Sequence, residues 1–262
     1  MSYIHVQEGI ILRTLFLAYS VFILFYFYDC NYIQATTASR EVYEKTGNVI
    51  WEGNTQEKIV AITFDDGPHP SYTPQILDIL AKYNAKATFF VSGNKVKSYP
   101  DILEREVKEG HEIANHTYNH IYNKNMSAVL LSSELDQTDK VIWEIAKYKP
   151  SLYRPVGGFH NDLIINTAVK KGFKVVLWSW SQDPQDWKRP AANTISNHII
   201  KSLRAGDIIL LHDWTDRPQT VKALETTLDY LYKNGYECVT VSDLLFRSNN
   251  SSPSLFRTFP VK

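Results

Sequence analysis

Short runs of β-branched and aromatic residues alternate with longer stretches whose apolar residues recur at helical spacing, and this continues along most of the chain. That alternation constrains the fold more than any other feature. Parallel strands need a crossover of about a dozen residues or more, and a helix is the usual crossover. The apolar runs predict strands at 58–64 (KIVAITF), 86–91, 111–116, 151–154, 173–180, 206–212 and 236–241. The intervening patterns predict helices at 73–83, 100–109, 127–146, 160–171, 191–203 and 220–233. Gly110, Gly172 and Gly235 follow three of them as C-terminal stop signals. About seven such units imply an α/β fold, either a barrel or a doubly wound sheet. Asp65-Asp66-Gly67-Pro68 follows the first strand where a dinucleotide-binding chain would carry GxGxxG, which argues against a dinucleotide site.

The chain has 262 residues, a length that suits one domain with short appendages. Lys+Arg and Asp+Glu are equal at 28 each, so the basic excess of a nucleic-acid-binding protein is missing and no nucleic-acid partner is expected. Aromatic residues make up 13%, which suits a sugar-binding cleft and an ordinary core alike. The two cysteines, Cys30 and Cys238, form no CxxC, so neither a cysteine zinc site nor a redox motif is expected. Cys238 lies in a strand-like YECVTV and reads as a small buried apolar residue, with no disulfide to Cys30 expected. Residues 15–28 (LFLAYSVFILFYFY) carry no charge and follow Arg13. The run is short of the ~20 residues of a full span and within the ~7–15 of a signal-peptide core. Residues 1–30 therefore read as a signal peptide or an uncleaved membrane anchor, and either one exports the protein. The domain expectation is a linker over 31–57, a folded domain over 58–247 and a flexible tail over 248–262.

In parallel α/β folds, chemistry gathers at the carboxyl ends of the strands. Those ends carry Asp65-Asp66, then His116-Thr117-Tyr118-Asn119-His120, Arg154-Pro155-Val156-Gly157-Gly158, Asp183-Pro184-Gln185-Asp186-Trp187, and His212-Asp213. Two histidines four residues apart with a distant aspartate form a His₂-carboxylate metal set, and three protein ligands leave a position open for water and substrate. Imidazole and carboxylate suit Zn²⁺, with Co²⁺, Ni²⁺ and Mn²⁺ compatible by ligand type. Asp65-Asp66 also reads as a turn before Gly67-Pro68, but adjacent carboxylates after an apolar strand are costly to bury without a cation beside them. His5, His69, His111, His160 and His198 lack a comparable setting and read as surface or supporting residues. Trp178, Trp180 and Trp214, near strand ends, suit either sugar stacking or packing.

The ordered set TFDDGP, HTYNH, RPVGG, DPQDW and the strand ending in His212 resembles the five motifs of the NodB-type polysaccharide deacetylases, a family of carbohydrate esterases, over residues 58–245. The resemblance implies a distorted (β/α) barrel of about seven units and metal-dependent removal of acetyl groups from a polysaccharide. It implies that Asp66, His116 and His120 hold the metal, with Zn²⁺ first among candidates. Asp65 matches the catalytic base, and Arg154 the arginine that holds it. His212 matches the catalytic acid and Asp183 its partner aspartate. Gly157, Trp187 and Leu210 match substrate-binding positions. Gly157 departs from the family's frequent RPPYG, in which a tyrosine stands at that position; the backbone N–H that helps bind the oxyanion is retained, and the ring is not.

The expected substrate is N-acetylglucosamine in peptidoglycan, met outside the membrane by an anchored or secreted monomer. Chitin oligosaccharides and O-acetylated xylan are alternatives with the same chemistry. An inactive carbohydrate-binding relative is the reading from a different class, and the completeness of the site argues against it.

Overall fold

Every strand expected from the sequence forms, and together they build one parallel sheet. The computed structural model describes residues 40–122, 126–214 and 218–251. The strands are β1 (Val49–Ile50), β2 (Ile59–Asp65), β3 (Ala87–Val91), β4 (Glu112–Asn115), β5 (Leu152–Tyr153), β6 (Lys174–Val176), β7 (Ile208–His212) and β8 (Glu237–Cys238). The hydrogen-bonded order is β1-β6-β5-β4-β3-β2-β7, and β8 pairs with β2. The chain after β6 then reaches β7: Ser179 N–H donates to Ile208 O at 3.0 Å and Leu210 N–H to Gln182 O at 3.0 Å. These bonds join the two ends of the strand path, so the sheet curls into a distorted barrel rather than staying open.

Among the described residues from Asn48 on, seven helices lie between strands, α1 (Tyr72–Lys82), α2 (Gly93–Ser98), α3 (Pro100–Lys108), α4 (Ala128–Ala146), α5 (Asp162–Lys170), α6 (Ala192–Lys201) and α7 (Gln219–Lys233), and α8 (Val241–Ser251) follows the last strand. Local chemistry fixes several ends. Ser127 caps α4 by accepting from Leu130 N–H, and Asn161 caps α5 by accepting from Ile164 N–H. Pro100 opens α3, where its missing N–H costs nothing.

Alternation along the strands divides the core in two. Val60, Ile62 and Phe64 of β2, with Phe89 of β3 and Ile209 of β7, pack against Ile76 and Leu80 of α1 and Leu224 and Leu228 of α7. Ile59 and Ala61 of β2, with Phe90, Ala114 and Ile208, pack instead with Val241 and Leu244 of α8. The first layer lies between sheet and helices, and the second fills the barrel interior. Farther along β2 the same inward phase carries Thr63 and Asp65, so the interior turns from apolar to polar toward the carboxyl ends.

Several expectations change. Val49–Ile50, inside the stretch read as linker, is an edge strand parallel to β6. Its two residues are too few to give a periodic signal. Helix α2 was not expected, because its GNKVKS sequence carries a single apolar residue. The last strand ends at Cys238, and Val241 instead opens α8, which runs through 248–251 of the expected tail. Residues 252–262 lie outside the described residues. So do 1–39, and with them Cys30, His5 and the proposed signal or anchor over 1–30. Among the described residues, no helix is long and apolar enough to cross a membrane. Cys238 is buried as expected, and burial pushes its thiol up to about 12. His111 is a core residue, 5% exposed, and not a surface one. Its Nδ1 accepts from Ala87 N–H, and burial lowers its pKa to about 4. Residues 40–47 fall outside the main unit, which begins at Asn48, and carry a short helix over 40–45 with an Arg40–Glu44 ion pair.

Candidate active site

The carboxyl ends of β2, β4, β5 and β7 and the segments after β5 and β6 surround one cleft of about 400 Å³. Asp65, Asp66, His116, His120, Gly157, Asp183, Trp187, Leu210 and His212, singled out above, all line it. Arg154 sits beneath, fully buried.

Arg154 is the polar centre of the barrel interior. Its guanidinium donates to Asp65 Oδ1 at 2.6 Å, Thr63 Oγ1 at 2.8 Å, Leu177 O at 2.9 Å and Val176 O at 3.1 Å. The Phe90 ring lies 3.9 Å below it. A buried charge needs both a partner and satisfied donors, and this arrangement supplies them. It also fixes one carboxylate oxygen of Asp65 and leaves Oδ2 toward the cleft, 3.7 Å from His116 Nε2.

Asp66 points the other way. Its backbone takes φ +78°, a left-handed value uncommon outside glycine, and this turn sends the two adjacent carboxylates in different directions. The turn also needs Gly67, where an added Cβ would lie 2.1 Å from the Asp213 carboxylate. Asp66 Oδ1 lies 2.8 Å from His120 Nε2 and 3.4 Å from His116 Nε2. Ligand atoms of Asp66, His116 and His120 all fall within 4.8 Å of one another. A four-coordinate cation with bonds of about 2.0–2.2 Å draws such a set together. Two observations support the fit. His116 Nδ1 lies 2.7 Å from Arg154 O, which holds the N–H on that side and leaves Nε2 as the free donor atom. Burial works against the charge of Asp66, but hydrogen bonds from His116 and His120 outweigh it and hold the carboxyl well below its usual range.

The loop between the two histidines is held from behind by residues the sequence reading missed. Glu134 of α4, 2% exposed, accepts from Tyr118 N–H at 2.9 Å, Asn119 N–H at 2.7 Å and Asn119 Nδ2 at 2.8 Å. Asn115 accepts from Thr117 N–H at 2.9 Å. Thr117 and His120 have φ of +70° and +52°. A glutamate in the same helical phase as Leu131, Leu135, Thr138 and Ile142 is the sequence signal that was available.

His212 ends β7 at the far wall. Its expected partner was Asp183; the carboxylate it meets is Asp186, with Nδ1 2.7 Å from Oδ1. Asp186 Oδ2 also accepts from His212 N–H at 2.9 Å and Thr220 Oγ1 at 2.8 Å. Asp183 instead accepts from Gln185 N–H in a tight turn. Gln185 is left-handed, with φ +54°, and leads into a 3₁₀ turn at Asp186–Lys188 that swings Asp186 inward. Burial alone would lower the pKa of His212, but Asp186, with help from Asp66 and Asp65, raises it to about 10.

The cleft walls are apolar. Leu210 and Trp187 line it as expected, and Tyr122, Val156 and Trp178 join them. Trp180 lies on the surface at 88% exposure. Trp214 stands outside the cleft lining, with the Lys95 ammonium 3.2 Å above its ring.

Known proteins similar to this chain are polysaccharide deacetylases and a relative of theirs. The polysaccharide deacetylase family model matches residues 52–176. A peptidoglycan-N-acetylglucosamine deacetylase of Bacillus cereus is 50% identical over 207 residues, covering 79% of this chain and 97% of that protein. The crystal structure of the Bc1960 peptidoglycan N-acetylglucosamine deacetylase matches with TM-score 0.72 and 32% identity, over 76% of this chain and 93% of that one. A CE4 family pseudoenzyme from Bacillus anthracis matches with TM-score 0.70 and 29% identity, over 75% of this chain and 68% of that one.

Proposed function

The chain belongs to the polysaccharide deacetylase family, and from that premise we propose that it hydrolyses the N-acetyl amide of N-acetylglucosamine residues in peptidoglycan. One observation carries the reading. A carboxylate anchored by arginine, a His₂-carboxylate set and a carboxylate-paired histidine converge on a single apolar-walled cleft. Amide hydrolysis needs a base, an electrophilic centre and an acid in such proximity.

Asp66, His116 and His120 would hold a divalent cation, with zinc favoured by the ligand types. When bound, it supplies Lewis acidity for the amide carbonyl and acidifies water. Asp65 is the base: Oδ1 is occupied by Arg154, and Oδ2 is placed to take the proton of the attacking water. The Gly157 N–H lies in the cleft wall without an acceptor among the described residues, and it serves the oxyanion. The departing amine leaves only when protonated, and His212 donates that proton from its imidazolium form. Asp186 holds the ring in place and favours its charge. Leu210, Trp187 and Trp178 exclude water from around the acetyl group, which strengthens each electrostatic contact.

Peptidoglycan lies outside the membrane, so this reading places the protein there, exported by the apolar run at 15–28 as a signal or an anchor. The test is acetate release from purified peptidoglycan, with the deacetylated sugar identified after acid hydrolysis. Glucosamine is expected. Muramic acid without its acetyl group, or release from chitin oligomers alone, would reassign the substrate. Asp65→Asn should keep cation binding by calorimetry and lose turnover, whereas His116→Ala should lose both. Near-normal turnover in Asp65→Asn would refute the assignment of the base.

A further inference from the structure

Tyr122 belongs to none of the five motifs, yet it lines the cleft two residues after His120. It is 67% exposed. A large ring so exposed gains little burial energy where it stands. Its seat is nonetheless defined. The Phe159 ring meets it edge-on, with centroids 4.7 Å apart and planes at 67°. Gly157 is also close to the ring: a Cβ built there would lie 2.4 Å from Tyr122 Cε2, 3.1 Å from Cδ2 and 3.4 Å from Cζ.

The ring and a side chain at 157 therefore exclude each other. Gly157 also has φ +62°, so a side chain there would be strained even with the ring removed. The wall of the cleft beside the Gly157 N–H is thus built by a ring from the β4 loop, with Trp178 and Trp187 lining the same cleft. An exposed tyrosine face suits the C–H face of a pyranose, and its hydroxyl, which has no protein partner among the described residues, suits a sugar hydroxyl.

We propose that Tyr122 is a specificity-determining substrate contact, packing its ring on the N-acetylhexosamine whose acetyl group enters the cleft. The proposal rests on the deacetylase reading for its substrate class. Its test is a binding measurement, so it does not depend on turnover.

The experiment titrates a tetramer of N-acetylglucosamine into the Asp65→Asn protein and into the Asp65→Asn/Tyr122→Ala protein, following tryptophan fluorescence and calorimetric heat. Melting curves verify that both are folded. Removing the ring should weaken the tetramer by about tenfold or more, as truncation of an aromatic anchor does. Tyr122→Phe in the same background should recover most of that loss, because the face is kept. Gly157→Ala should weaken binding as well, by displacing the ring, and should add little once Tyr122 is already alanine. Equal affinity with and without the ring would overturn the proposal, as would a parent protein that does not bind the tetramer. Loss of binding on ring removal, in a protein whose wild type releases no acetate, would sustain the proposal and sink the deacetylase reading instead.

Discussion

His212 and Asp186 show how one contact sets a proton inventory. The raised pKa of about 10 keeps the imidazolium charged through the neutral range, which a general acid needs. By linkage, its contribution to stability is fully present below about pH 6.5 and is lost as pH rises through about 10. Replacing Asp186 by Asn removes the main raising cause and leaves burial, which acts downward. The alkaline limb of kcat/KM should then move down by more than about one pH unit, and an unmoved limb would mean His212 is not the acid. Two buried carboxyl groups also act on stability. Glu106 is fully buried with both carboxylate oxygens unpartnered, and burial beside Asp213 holds its pKa well above the usual range. Burial raises Asp213 as well, to about 7. Native Asp213 thus contributes stability fully below about pH 3.8 and loses it as pH rises to about 7, and Glu106 acts with the same sign. Glu106→Leu should stabilise the protein by about 1–3 kcal/mol at pH 8 and by less at pH 4. Urea unfolding at the two pH values checks it. At this scale the sequence exposes residue types and strand ends but not directions. Asp183 and Asp186 flank the same Pro-Gln pair, and only the left-handed Gln185 and the turn after it decide which one reaches His212.

Elements were legible where their period was long. The stripe Ile76, Leu77, Leu80 marks α1, and the inward stripe of α4 is equally plain. β1 and α2 escaped because two residues, or a helix with one apolar residue, carry no period. The start of α8 was hidden by the β-branched character of YECVTV, although Val241, Leu244 and Leu245 already stand at helical spacing. Motifs alone do not hold the site in shape; the elements behind them do. α4 reaches the His116–His120 loop through Glu134, whose carboxylate takes three donors from Tyr118 and Asn119. Glu134→Ala leaves those donors without their partner and frees a loop that contains two left-handed residues. Zinc affinity by calorimetry should fall by about 10–100-fold, while Asp65 and Arg154, held from β2 and β5, keep their ion pair. An unchanged zinc affinity would show that the loop holds its shape without α4.

The whole molecule joins these scales through the barrel. Its interior is apolar at one end, where Val241 and Leu244 of α8 meet Ile59 and Ile208, and ionic at the other, where Arg154 meets Asp65. A site resting on a buried arginine is only as rigid as the ring of strands around it, and between β6 and β7 that ring closes through a segment that is not itself a strand. There the joining segment contributes Ser179, Gln182 and the backbone after β6, and residues 48–53 brace it. Leu177 N–H donates to Ile50 O at 2.7 Å, Gly53 N–H to Gly206 O at 2.8 Å, and Glu52 bridges Asp207. Val49 and Trp51 are 1% and 7% exposed, so the brace also closes core. The folded unit therefore begins near Asn48, about ten residues before the first long apolar run that marks it in the sequence. A fragment starting at Asn48 should melt as a single transition. One starting at Lys58 forfeits β1 and the burial of Val49 and Trp51, a loss of about 3 kcal/mol or more, which for a domain of this size is about 6–12 °C in Tm. Because Arg154 takes two of its acceptors from Val176 and Leu177, next to β1, the shorter fragment should also lose catalytic rate at temperatures below its melting point. Equal melting temperatures for the two fragments would show that the barrel closes without its edge strand.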